Sequence, residues 1–514
     1  MTNTSKIKVL MEMRPALDGF AGIPQECRLL FRGLGRAANV ELQGLMQTSL
    51  RFLSPGMRAP RAPTSDVPES ERINRYSRLV LAIDAKPASQ WWHQARAYVT
   101  RRRAIYALAL GALLPGKRTI GLSLFEPAGF EEFVWDAMFA KSLHEDDFEA
   151  ITRQQYQVCG VPWTILHLAG LAGRRFGRHT RYPRINTAGA DVLIAQTPFP
   201  ARLAARTALV VRYHDALPLF MPHAFANKSR HQMTHFRALE SNVREGAYFA
   251  CVSEATRQDL LRVFPQAAAR AVTIHNMVSH HYFEEDSDPA RVADIIRARL
   301  NTSAEAAMPR AGGGLDAFYR SHLHSAPLRY LLMVATIEPR KNHSRLVAAW
   351  QALRARGEAS LKLVIVGGLG WDTDPILREM RAGLDCGGLF LLNQVPAADL
   401  RVLYRHAAAT VCPSLAEGFD FPGVEAMRSG GVVVASDIPV HREVFADAAE
   451  YFRSHSSTDL ADAIARVVLA DDAPRRAQQL RVRGRDVGAR YLPERIQPQW
   501  EQFLARVAAE RVPP

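Results

Sequence analysis

The chain is poor in the features that mark a secreted, metal-stapled or membrane-spanning protein. Its 514 residues hold five cysteines, Cys27, Cys159, Cys251, Cys386 and Cys412, each isolated from the others. No Cys-x-x-Cys pair and no His at zinc-ligand spacing accompanies them. That speaks against a disulfide framework or structural zinc and fits a reducing cytoplasm. No apolar run approaches the ~20 residues that a membrane span needs. The longest, Ala104 to Leu114, sits behind Arg101, Arg102 and Arg103 and suits a surface contact at most. The opening Met1 to Lys8 lacks the charged-then-apolar pattern of a secretory leader, so a cytoplasmic protein is expected. Aromatic-basic stacking motifs and recognition-helix patterns are missing too, so no nucleic-acid partner is expected.

What is present is ample core material and an excess of positive charge. Hydrophobic residues make up 48% of the chain, and Lys plus Arg (65) outnumber Asp plus Glu (51), a net charge of +14. The length allows two or three domains. The charge suggests an acidic partner, such as a phosphate-bearing substrate or an anionic membrane. An Arg-rich surface kept for solubility explains it equally well.

Short apolar runs alternate with helical patterns, which predicts α/β architecture: parallel sheets with crossover helices. A first Rossmann-like domain is expected over 1–300, with strands at Ile7 to Met11, Asp191 to Ala195, Leu209 to Tyr213, Tyr248 to Val252 and Val272 to His275. A basic insertion, a loop followed by helices, interrupts it over about 54–189. The stretch 301–326 reads as a linker. A second Rossmann-like domain follows over 327–480, with strands at Tyr330 to Val334, Leu363 to Val366, Leu389 to Leu392, Thr410 to Cys412 and Val432 to Ala435. A helical tail, 481–514, has the option of crossing back to the first domain. Ligands of two such sheets gather at the carboxyl ends of the strands, in the cleft between them.

Four segments at strand ends carry candidate chemistry. The first runs from Pro413 through Glu417, Gly418, Phe419, Asp420, Phe421 and Pro422 to Glu425. It leaves a strand and opens a helix, offering free amides and a positive helix end to an anion. Its two glutamates can accept hydrogen bonds from sugar hydroxyls. The second is Thr336 to Asn342, where adjacent Arg340 and Lys341 suit a diphosphate: Arg grips two oxygens and Lys acts as a point charge. The third is His214-Asp215, where the imidazole either meets a bound sugar or is satisfied by Asp215. The fourth is Asp18 to Gly22, a turn whose glycines let backbone approach a ligand.

These segments resemble glycosyltransferase family 4, the retaining GT-B enzymes that include many polysaccharide and lipopolysaccharide assembly enzymes. The likeness runs nearly unbroken from Leu331 to Phe452. In the first domain it covers Arg14 to Glu26, Val210 to Pro222, Cys251 to Leu261 and Val272 to Val278, leaving 54–189 unmatched. The resemblance implies that Glu425 binds the ribose hydroxyls, Glu417 contacts the transferred sugar, Arg340 and Lys341 hold the diphosphate, and His214 lies against the sugar. It further implies that the loop at Gly22 closes on the donor and that Gly418, Phe419, Asp420 and Phe421 line the donor site. The chain departs from the pattern at Asp420 and Phe421, where relatives often have Gly and Leu. Thr336 stands near a position often held by Arg, which leaves more of the phosphate work to Arg340.

The expected activity is therefore retaining transfer of a hexose, with GDP-mannose or a GDP-deoxyhexose favoured, to a glycan or lipid-linked oligosaccharide acceptor. Cations and amides at the leaving phosphate can carry the charge that develops there, so neither metal nor cofactor is expected. The triplets Asp286-Ser287-Asp288 and Asp372-Thr373-Asp374 read as solvated loops. An acceptor on a lipid would hold the protein peripherally at the inner membrane face, through Arg101 to Leu114 or through Arg174 to Arg184. Two rival readings remain: a nucleotide-sugar epimerase of the same fold, and a non-catalytic scaffold of an assembly complex.

Overall fold

The computed structural model describes residues 6–19, 22–54, 56–58, 67–85, 90–113, 119–174, 179–225, 227–301, 308–310, 314–323 and 327–510. Phe20, Ala21 and the Ala311 to Gly313 run lie outside them.

The apolar runs become two sheets. The first has the order Ala271–Thr273, Tyr248–Cys251, Ala208–Tyr213, Val192–Ala195, Ile7–Glu12, Val40–Met46, Gln155–Val158, Ser123–Phe125 and Met57–Arg58. It is parallel up to Gln155–Val158 and antiparallel beyond. The second, wholly parallel, has the order Leu389–Leu392, Lys362–Val366, Tyr330–Val334, Ala409–Cys412, Val433–Ser436 and Ala449–Phe452. In each sheet the winding direction reverses once, between Ile7–Glu12 and Val192–Ala195 and between Tyr330–Val334 and Ala409–Cys412. Loops diverge at such reversals and leave a crevice at the carboxyl ends.

Strand ends shift from the sequence expectation by a residue or two, but the stretch 54–189 differs in kind. Expected to be helical beyond its loop, it also supplies three strands of the first sheet, Gln155–Val158 among them. Gln-Tyr-Gln-Val is too short and too polar to read as a buried strand. Pairing with Val40–Met46, more than intrinsic preference, makes it one.

The stretch 301–326, read as a linker, also differs. Ile295 and Ile296 of helix Arg291–Ala298 already share a core with Leu332 and Val364. Tyr319, on helix Leu315–His322, lies 6.3 Å from Phe390 of the second sheet. The chain has thus crossed to the second sheet before residue 291.

The chain also returns. Helix Pro493–Ala509 buries Trp500, Phe503 and Leu504 against Val9, Met11, Leu30 and Phe31 under the first sheet. Each fully buried Phe or Leu contributes about 1.5–3 kcal/mol. The outgoing and returning segments touch where they cross: the Val278 N–H donates to the Tyr491 carbonyl at 2.8 Å.

Candidate functional site

The reversal in the second sheet sets Thr336 to Asn342 beside Pro413 to Asp420, because each loop leaves one of the two strands that part there. Backbone and side chain lock the loops together. The Leu415 N–H donates to the Arg340 carbonyl at 2.9 Å. Asn342 adopts the left-handed conformation (φ 63°) that Asn tolerates, and its Nδ2 donates to the carbonyls of Pro413 (2.8 Å) and Ser454 (2.9 Å). In the sequence Asn342 is only the last residue of the Thr336 to Asn342 segment. An Asn closing a turn after two cations was the available signal.

Held this way, Glu417 is an acceptor for three groups. Lys341 Nζ pairs with its Oε1, Ser414 Oγ donates to the same oxygen at 2.7 Å, and Arg340 Nη1 meets Oε2 at 3.1 Å. Burial would raise this carboxyl, but Lys341 and then Arg340 outweigh it and hold its pKa at about 2. Arg340 also lies 2.5 Å from Glu338 Oε1, and Asp215 across the cleft adds to its negative surroundings. Both cations are thus matched by carboxylates, partners of the same charge sign as a phosphate.

The helix Phe421–Arg428 opens after Asp420 (φ 70°), with Phe421 in the first position and Pro422 in the second. Gly430 ends it at φ 75°, and the Gly431 N–H returns to the Ala426 carbonyl at 2.8 Å. Glu425 projects from it at 3% exposure. Tyr404 Oη donates to one carboxylate oxygen at 3.1 Å, and Gln25 Nε2, from the first domain, donates to the other at 2.8 Å. Burial raises its pKa to about 7, against the lowering effect of Gln25 and Tyr404.

The Glu425 shift predicts a pH dependence. Its folded pKa stands above the unfolded one, so its stabilising effect is full below about pH 4.5 and declines as pH rises towards 7. A shift of that size corresponds to about 3 kcal/mol. Glu425→Gln should flatten the fall in melting temperature between pH 5 and 7.5. If Glu425 receives ribose hydroxyls, which prefer the carboxylate, the same substitution should also remove a rise in nucleoside-diphosphate affinity over that range. Parallel wild-type and mutant profiles in calorimetry would refute both effects.

Five further sequence candidates, four in this loop and one in the first domain, serve different ends. Gly418 is required by close approach: a Cβ there would fall 1.9 Å from the His214 carbonyl oxygen. Phe419 and Phe421 put their rings into the core of the second domain, 5.3 Å apart, with Phe419 packed edge-on against Tyr491. Asp420 points its carboxylate at buried His441, Nε2 to Oδ2 2.9 Å. This partner stands on the helix Pro439–Phe445, too distant in sequence to be inferred from spacing. Gly22 caps the helix Ile23–Gly35 at φ 72°, which places Gln25 in its first turn facing Glu425.

On the first domain, His214 brings its backbone to Gly418. Its side chain is not paired with Asp215, whose Oδ1 accepts from the Leu217 N–H at 3.1 Å. Instead His214 Nε2 lies 3.4 Å from Gln196 Oε1. Burial, then the nearby Arg212 charge, push the imidazole well below its ordinary pKa, so it is neutral. A polar chain continues from there along the first sheet's reversal. The Gln196 N–H donates to Glu12 at 2.8 Å, Glu12 holds Arg14 at 2.7 Å, and Arg14 lies 4.4 Å above the Trp163 ring. None of Gln25, Glu12, Gln196 or Trp163 was named a candidate, because single polar residues at strand ends carry no pattern.

A second contact across the cleft comes from Glu443. Its carboxylate accepts the Glu254 and Ala255 N–H groups (2.6 and 2.9 Å) at the start of helix Glu254–Val263 and meets His275 Nε2 at 2.8 Å. Ser253 caps the same helix through the Thr256 N–H, as the sequence predicts. The carboxylates of both Asp-x-Asp triplets are exposed, but only Asp286 to Asp288 is the expected loop; Thr373 and Asp374 open the helix Thr373–Asp385 behind Asp372.

Residues 317–485, which span the second sheet and every residue of its loops named above, match the family model described as Glycosyl transferases group 1. The likeness to this family is carried by the second domain. O-antigen chain mannosyltransferase B of Escherichia coli is 28% identical over 239 residues, 46% of this chain and 55% of that protein. The match thus spans about half of that relative's length. O-antigen chain mannosyltransferase RfbU of Salmonella typhimurium is 23% identical over 346 residues, 66% of this chain and 83% of the relative. A sucrose-phosphate synthase from Thermosynechococcus elongatus shares the fold, with a TM-score of 0.55 at 15% identity, covering 98% of this chain and 100% of that one. The fold is therefore GT-B, two Rossmann-like domains facing a cleft.

Proposed function

We propose that this protein is a retaining glycosyltransferase that moves a hexose, mannose foremost, from a nucleoside-diphosphate donor to a glycan or lipid-linked glycan during surface polysaccharide assembly. The observation that carries this is the Arg340–Lys341 pair held on Glu417 at the second sheet's reversal, opposite His214. The names of the two relatives support mannose and O-antigen-type acceptors. A donor diphosphate would draw both cations away from Glu417, freeing that carboxylate for sugar hydroxyls. Glu425 would release Gln25 and take the ribose. As the bond from the sugar to the phosphate breaks, charge grows on the leaving oxygen, where the cations and the amides at the start of helix Phe421–Arg428 already point. Neutral His214 can donate to or accept from the sugar without adding charge. The leaving phosphate takes the acceptor's proton, and no metal takes part. With an acceptor on a lipid, the protein works as a peripheral protein at an anionic membrane face.

The test is transfer from labelled GDP-mannose, and from UDP- and ADP-sugars in parallel, to a lipid-linked glycan extract with and without a strong chelator. Product with retained anomeric configuration, formed equally in both, is expected. Activity lost to chelator and restored by manganese would overturn metal independence. Conversion of the donor sugar without acceptor would identify an epimerase instead.

A further inference from the structure

The helix Trp91–Leu113 differs from every other long helix described: all of its residues from 91 to 103 are exposed. Its second half is anchored, with Ala109 and Ala112 buried and Arg202 Nη2 on the Ala112 carbonyl at 3.3 Å; in the first half Arg101 holds the Leu50 carbonyl at the same distance. There it packs on helix Trp163–Gly173. The exposed half carries large apolar side chains into solvent: Trp91 is 73% exposed, Trp92 51%, Tyr98 57% and Val99 47%, and Tyr106 and Leu110 continue the row. Trp92, Val99, Tyr106 and Leu110 stand seven, seven and four residues apart, and Trp91 stands seven from Tyr98. These spacings put all six on one side of the helix. Arg96, Arg101, Arg102 and Arg103 accompany them, and no Asp or Glu occurs from 91 to 113. Arg102 bridges two of the rings, Nε to Tyr98 Oη 2.9 Å and Nη1 to Tyr106 Oη 3.4 Å.

We propose that this projecting helix is a docking element for an anionic lipid surface, lying in the headgroup layer with its aromatic side inward. Tryptophan and tyrosine prefer that depth, where one end of the ring is apolar and the other wet. Each arginine beside it contributes about fivefold to partitioning onto an anionic surface. A span is not implied, since no described helix is long and apolar enough to cross a membrane. The occupant is a bilayer because the row combines exposed indoles with unopposed positive charge. A second copy of this chain would have to lay arginines against arginines.

The position relative to the cleft gives the docking a purpose. Arg101 Nη2 reaches the Leu50 carbonyl at 3.3 Å, just beyond the carboxyl end of strand Val40–Met46. The neighbouring Ser49 and Thr48 carbonyls receive the Thr164 and Trp163 N–H groups that start the anchoring helix. The overhang therefore leaves the first domain on the side where its strand ends open, and exposed Leu50 and Phe52 extend the apolar rim towards them. A lipid-borne acceptor would enter along this edge. The alternative basic stretch fits less well. Helix Trp163–Gly173 spends Ile165, Leu166 and Ala169 on the core, and Arg175 and Arg178 lie outside the described residues.

This deepens the peripheral-membrane reading, and its test needs neither donor nor turnover, so failure here leaves the transferase reading standing. The full chain is co-sedimented with vesicles of phosphatidylcholine alone and with one third phosphatidylglycerol, at about 0.1 and 0.5 M salt. Binding is expected only with the anionic lipid and should weaken at high salt. Trp91→Ala with Trp92→Ala, and separately Arg101→Glu with Arg103→Glu, should each reduce it at least about tenfold. All four residues are exposed, so unchanged circular dichroism melting is expected. Bromine-labelled acyl chains should quench the fluorescence lost in the Trp91→Phe, Trp92→Phe variant. Equal binding to both vesicle types, no binding, or binding indifferent to the four residues would overturn the proposal. So would sedimentation velocity showing a dimer that the Trp91→Ala, Trp92→Ala variant breaks.

Discussion

Replacing Arg340 and Lys341 together by Ala is expected to reduce transfer by at least about 10³-fold if each is, as proposed, a charge-assisted partner for the leaving phosphate. The structure adds a second consequence. Glu417, whose carboxyl the pair holds at about 2, would be left buried without its counter-ions. Breaking a buried ion pair from one side costs about 3–5 kcal/mol. Stability should therefore fall at pH 7 and recover as Glu417 takes a proton. Wild type should show the opposite trend, losing the pair's contribution only as pH drops from about 4.5 towards 2. The triple variant Arg340→Ala, Lys341→Ala, Glu417→Gln should regain most of the melting temperature and none of the turnover. If the double variant kept most of its turnover, the cations would not be the phosphate clamp. If the triple variant stayed as unstable as the double, the ion pair would not be the source of the loss.

Gly418→Ala is expected to cost about 10²-fold in kcat while leaving nucleoside-diphosphate binding nearly intact. The reason is steric and local. The added methyl would sit 1.9 Å from the His214 carbonyl and 3.3 Å from Val252 Cγ2, and a backbone carbonyl cannot step aside as a flexible side chain can. The two domains must separate at the point where the sugar's reacting carbon is expected, whereas the ribose and diphosphate groups stay with the second domain. Calorimetry with the nucleoside diphosphate and turnover with the full donor separate the two effects. A mutant within a few-fold of wild-type turnover would show that this contact does not set the working geometry.

How much of this was legible beforehand depends on whether an element is made by its own residues or by its neighbours. The strand Tyr330–Val334 and the helix after Asn342 announce themselves by apolar pattern, and the loops that leave them inherit a place in the cleft from topology alone. Glu417, Glu425, Arg340 and Lys341 could thus be brought to one region from sequence. Their partnerships could not be read: that the cations rest on Glu417, 76 and 77 residues away, or that Gln25 occupies Glu425, 400 residues away, follows from side-chain geometry alone. Asp420 shows the opposite limit. Its carboxylate looks available for a donor hydroxyl until His441 is found beside it. Strands such as Gln155–Val158, polar and short, exist only because an edge is there to receive them.

The paired crossing at Val278 and Tyr491 bears on how the protein moves. One connecting segment would let the two halves twist, slide and swing. Two segments lying side by side and tied at 2.8 Å form a two-ply flexure, compliant in bending and stiff against torsion and shear. Any opening of the halves would then be confined to nearly one arc, and closure would return Gly418 to the same place on His214. The last helix, far from the chemistry, is the second ply, and its removal would be felt as lost registration between the halves.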